Sequence, residues 1–304
     1  WYEDQWNMFT IPVKNASVPY AYTLGNHDAQ GDLDREAIIS LDMTNAPLSL
    51  TELGPSTAEG ASNFVLEIEA SSNGSDGRVT EGPSAYLWFF DSEMENCLDV
   101  TGWGCVYPSA IEWYRQTSAS LKEKNGGIVV PGVGFYHIPV PEMMNLLSSS
   151  SFSTYGEKRE DICCFSVNTG LFASIEEQKN LRFITCGHDH DNDFYGDYNG
   201  VTLAYGRKTG HGGYGPPVGM QRGARVIELT ETTDGSSWNL STWIRQEDGQ
   251  KVIQESSLRN QQQSLCCGTE GASVSKCTVF EAEFREQLAL DENTGDSTSQ
   301  RIHK

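Results

Sequence analysis

The run Leu181-Arg182-Phe183-Ile184-Thr185-Cys186, followed at once by Gly187-His188-Asp189-His190, decides the fold. Its first six residues, rich in β-branched and apolar side chains, predict a strand, and the four that follow predict a loop at the strand's end. A rigid strand fixes the direction of a ligand while a loop backbone bends around what it binds. The same arrangement recurs twice. Val18 to Leu24 reads as a buried strand feeding Gly25-Asn26-His27-Asp28, with Pro19 tolerable only near the strand's beginning. Ile128 to His137 reads as extended chain ending in Phe135-Tyr136-His137-Ile138-Pro139.

Three such loops predict one site assembled at several strand ends. Carboxamide oxygen and imidazole nitrogen are the donors expected for zinc, manganese or iron. Asn26 offers its carbonyl oxygen, and His137, His188 and His190 each offer a ring nitrogen. His188 and His190 are two apart, which in extended chain points them to one side, where they serve either one ion or two. Gly25 and Gly187 are expected where a strand must turn sharply. His27 beside Asp28 suggests another role: a carboxylate accepting one imidazole proton leaves the other nitrogen to touch a phosphate or protonate a leaving oxygen. The plainer alternatives are polar turns without ligands, a structural His137, and Asp28 as a turn or capping residue. His211 lies in a Gly-rich segment that borders the expected site, and no Gly-Lys-Ser/Thr follows to make it a phosphate loop. The chemistry these residues suggest is metal-assisted ester hydrolysis.

The chain has 304 residues, 42 acidic against 21 basic, for a formal net charge of −21. Such a field repels nucleic acid and anionic membrane, whereas a cationic metal site still binds phosphate locally. No run of 18 apolar residues marks a membrane span. Eight cysteines exceed cytosolic habit. Cys97 and Cys105 bracket a loop that suits a small disulfide ring, with free thiols the alternative. Sequons at Asn15, Asn73 and Asn239 lean with the cysteines toward a secretory or extracellular location.

Elsewhere, Asp32 to Leu41 and Pro108 to Lys124 predict helices, the latter with Ile111, Tyr114 and Leu121 near one face. Phe64 to Ile68 and Ala85 to Phe90 predict a hairpin across Ser71 to Gly82. Ser174 to Lys179 reads as a helix tail, and Val201 to Tyr205, Arg225 to Leu229 and Trp238 to Ile244 as strands. From about Glu255 the composition turns to Ser, Gln, Glu and Thr. The expected division is a catalytic domain over 1–250 and a polar tail over 251–304.

Gly-Asn-His-Asp, then His-Ile-Pro, then Gly-His-Asp-His resembles the calcineurin-like metallophosphoesterase superfamily. Trp88-Phe89-Phe90-Asp91-Ser92, Ile111-Glu112-Trp113, His137 to Glu142 and Tyr205 to Gly210 make the chain look like the small purple-acid-phosphatase-related proteins of fungi, plants and protists, over roughly residues 1 to 246. The resemblance implies an α/β fold, a two-sheet sandwich flanked by helices (α/β/β/α), with two metal ions, iron, zinc or manganese, at the strand ends. It implies that Asn26, His137 and His188 bind one ion and His190 the other, that His27 contacts the phosphoryl group of a phosphate-ester substrate, and that a metal-bound hydroxide attacks phosphorus. The family's two upstream motifs, Asp-x-His and Gly-Asp-x-x-Asp or Tyr, do not occur before Leu24 or at a suitable place later. They supply the carboxylate that bridges the metals. The expectation is therefore a chain lacking the domain's N-terminal strands, binding one metal weakly and inactive by itself. A scaffold homologue that has lost the site, and a diesterase or pyrophosphatase, are the alternatives.

Overall fold

The computed structural model describes residues 2–70, 82–148, 152–232 and 237–256. Within these, four strands run parallel at the centre of a seven-stranded sheet. They are β2 (Pro83–Phe89), β3 (Gly132–Phe135), β5 (Leu181–Cys186) and β7 (Val201–Tyr205), paired in that order. Antiparallel β1 (Phe64–Glu69) closes one edge, and β6 (Tyr195–Tyr198) and β4 (Thr154–Tyr155) close the other. A three-stranded antiparallel sheet contains β8 (Gly223–Glu231), β9 (Trp238–Gln246) and β10 (Lys251–Val252), in the order β10-β9-β8.

Successive residues of the central strands face opposite sides, and both sides are buried, as the near-continuous apolar runs require. Phe183 packs with Ala85, Val133, Ala204 and Trp238, joining the two sheets. Its neighbour Ile184 packs with Trp88, Phe90 and Tyr114 on the helical side. There lie α3 (Pro108–Lys124), α4 (Glu142–Ser148) and α5 (Leu171–Gln178). Pro108 starts α3, where its missing N–H costs nothing, and Ala110, Ile111, Tyr114 and Ser118 form its buried stripe. The result is the mixed α/β, two-sheet architecture the sequence predicts.

The helix over 108–124 and the strands over 181–186 and 201–205 match their expected limits. The hairpin forms, with Phe64 opposite Phe89, although residues 71–81 of its connection lie outside the described part. The tail lies outside it from residue 257.

Val18 to Leu24 is not a strand. Tyr20 makes a single bridge to Ser49, and Val18 is 48% exposed. Pro19 removes a ladder donor, and side chains hold the rest: Thr23 donates to the Phe90 carbonyl at 2.8 Å. Before it runs a helix that the apolar pattern conceals, α1 (Tyr2–Ala16), which carries Pro12 in its interior. Its Trp6 donates to Asp42 Oδ1 at 2.9 Å on α2 (Arg35–Asn45), and Tyr2, Trp6, Leu24, Ile38 and Ile39 form a small separate core.

Candidate metal centre

Because β3 and β5 are parallel neighbours, their C-terminal ends meet the same edge of the sheet, where α/β proteins place their ligands. Two residues past β3 comes His137, and two past β5 comes His188. The loop that ends in Asn26 crosses the same edge. His137 Nε2 lies 2.8 Å from Asn26 Oδ1, and His188 Nδ1 lies 3.3 Å from the same oxygen. The structure thus brings together three of the expected ligands, one from each loop.

Glycine is needed here for proximity. Neither Gly25 nor Gly187 is among the residues of positive φ, so the sharp-turn expectation gives way to a steric one. A Cβ on Gly25 would stand 3.1 Å from His137 Cε1 and Nε2, and one on Gly187 would stand 3.2 Å from Nδ1. The two backbones hold the imidazole between them, and His137 O accepts the Gly187 N–H at 3.0 Å. His188 carries the unusual backbone, with φ 72° and the Asp189 N–H returning to Gly187 O at 2.9 Å. A non-glycine residue in the left-handed region stores strain, which concentrates at functional sites. Trp103 meets the His188 ring edge-on at 4.4 Å, and its loop is closed by the Cys97–Cys105 disulfide that the sequence predicts.

Burial, with smaller contributions from Arg35, His27 and His190, pushes His137 down to about 3. Burial, followed by His137, His27 and His190, pushes His188 down to about 2. Both rings are therefore neutral at physiological pH, the form that ligates a metal. One amide oxygen and two neutral imidazoles are a borderline-to-hard donor set. Their spacing fits the edges of about 3 Å expected around an ion with bonds of about 2.0–2.2 Å. The residues present fit one metal ion.

Beneath the trio lies a buried ion pair that sequence reasoning missed. Arg35 pairs with Asp91, whose side chain is fully buried, and Arg35 Nη1 donates to Gly25 O at 2.8 Å. Asp91 Oδ2 also takes the Ala61 N–H at 2.9 Å and the Ser62 N–H at 3.2 Å. The pair fastens the Asn26 loop to the end of β2. Its partial signal is Asp91 following an aromatic strand.

The remaining expected residues take other places. His27 Nδ1 faces Gln30 Oε1 at 3.0 Å, while Asp28 Oδ2 accepts the Gly25 N–H at 2.6 Å. The partner given to Nδ1 is Gln30 rather than Asp28, because the carboxylate is drawn to a backbone donor three residues before it. His190 does not extend alongside His188, since the turn at His188 breaks the alternation. It stacks on Tyr214 at 4.1 Å, with Nδ1 2.9 Å from the Tyr214 carbonyl, and the Tyr214 hydroxyl lies 2.8 Å from Glu160 Oε2. His211 is exposed, with Nε2 4.0 Å from Glu247.

Cys163, His188 and Asp189 form another grouping, their donor atoms within 4.8 Å of one another. Cys163 is disulfide-bonded, which removes the thiolate. Asp189 accepts from the Tyr205 hydroxyl and the Cys163 N–H, and burial pushes it up to about 8. With no thiolate from Cys163 and the Asp189 carboxyl already engaged by these two donors, the Asn26 trio is the better candidate.

No family model matches the chain. Probable inactive purple acid phosphatase 14 of Arabidopsis thaliana is 30% identical over 269 residues, 80% of this chain and 63% of that protein. Probable inactive purple acid phosphatase 29 of the same plant is 27% identical over 259 residues, 80% of this chain and 64% of the relative. Phosphatase DCR2 of Saccharomyces cerevisiae is 26% identical over 263 residues, 80% of this chain and 42% of the relative. The chain thus spans less than two thirds of the length of these relatives. Over about 80% of its length, at 26–30% identity, the chain is similar to purple-acid-phosphatase-like proteins and to a named phosphatase, which is consistent with a metallophosphoesterase relative.

Proposed function

We propose that the protein is a metal-dependent phosphoric-ester hydrolase of the phosphomonoesterase type. The observation that carries this reading is the convergence of Asn26 Oδ1, His137 Nε2 and His188 Nδ1 at 2.8 and 3.3 Å. A bound ion, iron, zinc or manganese, supplies Lewis-acid polarisation of the phosphoryl group and a lowered pKa for water. Asn26, His137 and His188 hold it, and the Gly25 and Gly187 backbones keep the His137 ring aimed. His27 stands at the exposed mouth and contacts the phosphoryl group. With Nδ1 hydrogen-bonded to Gln30, exchange of a proton with the leaving oxygen falls to Nε2. Asp28 acts through the loop, bracing Gly25.

His190 is assigned to a second ion, its Nδ1 engaged by the Tyr214 carbonyl so that Nε2 is the ligating atom. Of the residues assigned to metal, His190 alone is given to that ion. We assign residues 1–250 to the phosphoesterase domain, extended through β10 (Lys251–Val252) because that strand pairs with β9, and the residues after it to a tail, and we place the protein in the secretory pathway. The Cys97–Cys105 disulfide supports an oxidising compartment. Among the described residues no helix is long and apolar enough to cross a membrane.

A second reading, a metal-binding homologue without turnover, is favoured by the names of two of the relatives above, which are probable inactive phosphatases. Elemental analysis of the purified chain, together with hydrolysis of an aryl phosphate and a bis-aryl phosphate, separates the readings. Bound metal with monoester turnover supports the hydrolase, bound metal without turnover supports the homologue, and faster diester cleavage overturns the monoesterase assignment.

A further inference from the structure

Next to His27 opens a cavity of about 560 Å³, within the size range of small-molecule sites. Its walls are aromatic, formed by Trp6 and Phe9 of α1 and by Tyr22, and its rim is polar, formed by His27, Asp28 and Gln30. The Trp6 ring centroid lies 5.1 Å from that of Phe9 and 4.8 Å from that of Tyr22, so the three rings make one surface. Trp6 is fixed from behind by Asp42. Phe9, by contrast, is 62% exposed. A large apolar ring left in water beside an exposed histidine is a cost that a planar ligand relieves by stacking.

We propose that this cavity receives the leaving group of the substrate and that the group is a planar, uncharged aromatic, either a phenolic ring or a nucleobase. The inference rests on the phosphatase reading for its link to the ester, since His27, which lines the cavity, directly follows the candidate ligand Asn26 in the chain. The chemistry of the walls carries the rest. Aromatic faces stack on any π-system, and the Gln30 amide and Asp28 carboxylate meet the polar edge of a phenol or base. Asp28 and the net charge of −21 repel a leaving group that bears a further phosphate.

The test uses ligands without a phosphoryl group, so that binding is read independently of turnover. The 304-residue chain is titrated calorimetrically with adenosine and with N-acetyltyrosinamide, alongside Phe9→Ala and Phe9→Tyr. The expected result is saturable binding of at least one compound, weakened about fivefold or more by Phe9→Ala and kept within about twofold by Phe9→Tyr. Preference for adenosine assigns a nucleobase, and preference for the tyrosine amide assigns a phenol. Failure of both to bind, or equal binding by Phe9→Ala, overturns the cavity as a leaving-group site. Binding that follows this pattern in a chain that hydrolyses no phosphate ester supports the aromatic site and counts against the phosphatase reading alone. In an active preparation, Phe9→Ala also lowers the kcat/KM ratio of phenyl phosphate over glycerol phosphate.

Discussion

His188 and His190 are two residues apart and both partly exposed, yet one is framed by the sheet and the other by a loop at the rim. His188 is fixed by a strand, by Asn26 and His137, and by the edge of Trp103. The contacts of His190 come from Tyr214, itself half exposed on a Gly-rich loop. The difference teaches that one half of the centre is built by the sheet while the other depends on what approaches it. A ligand framed by central strands is preorganised, and one held by a loop is adjustable.

The sharpest way to break this contrast is to delete a ligand of the trio. His188→Ala or Asn26→Ala is expected to lower metal affinity by about a hundredfold or more and to abolish any turnover, with the thermal transition nearly unmoved. Elemental analysis after dialysis measures it, and full metal retention would dismantle the trio. Next in size is the platform. Arg35→Met leaves the Asp91 carboxylate buried without its cation and is expected to cost about 3–5 kcal/mol in denaturant unfolding. A change under 1 kcal/mol would mean that the pair contributes little to the frame.

Glu93 tests the same platform through pH. Burial, then Asp91, raises its pKa to about 7, against the pull of Arg35. The folded chain thus binds a proton that the unfolded chain has already lost near pH 4.5. Stability is fully present below that value and is lost as pH rises toward and through about 7. Glu93→Gln should remove a decline on the order of 1–3 kcal/mol between pH 5 and 8, seen by comparing unfolding midpoints at the two values. Parallel pH profiles for variant and wild type would refute it.

A subtler probe is Gly187→Ala, whose Cβ would press on the His137 ring from 3.2 Å. It is expected to weaken metal binding about tenfold while the sheet stays intact. Smallest of all, His190→Ala should leave the affinity of the trio within about twofold; a large loss would erase the distinction between sheet and rim.

Much of this was legible because strands and their loops share one grammar. Leu181 to Cys186 and its Gly-His-Asp-His loop state both the strand and its ligands, and parallel pairing then brings His137 beside His188. The ion pair between Arg35 and Asp91 was not legible, because it joins residues 56 apart in sequence with no local periodicity. Nor was α1, since Pro12 interrupts the pattern that marks a helix. The sequence marks the two glycines but not their reason: neither has a positive φ, and the demand comes from a histidine ring more than a hundred residues distant from Gly25. The pairing of His27 with Asp28 failed because adjacency in sequence says nothing of which donor reaches a carboxylate first.

The parallel pairing of β3 and β5 has a temporal side. Both are interior strands of the seven-stranded sheet, with β2 and β7 beyond them. Interior strands open to solvent only in large cooperative fluctuations, the slowest in hydrogen exchange. The separation of the His137 and His188 backbones is therefore as long-lived as the sheet, and the binding frame persists between ligand visits instead of being rebuilt at each one.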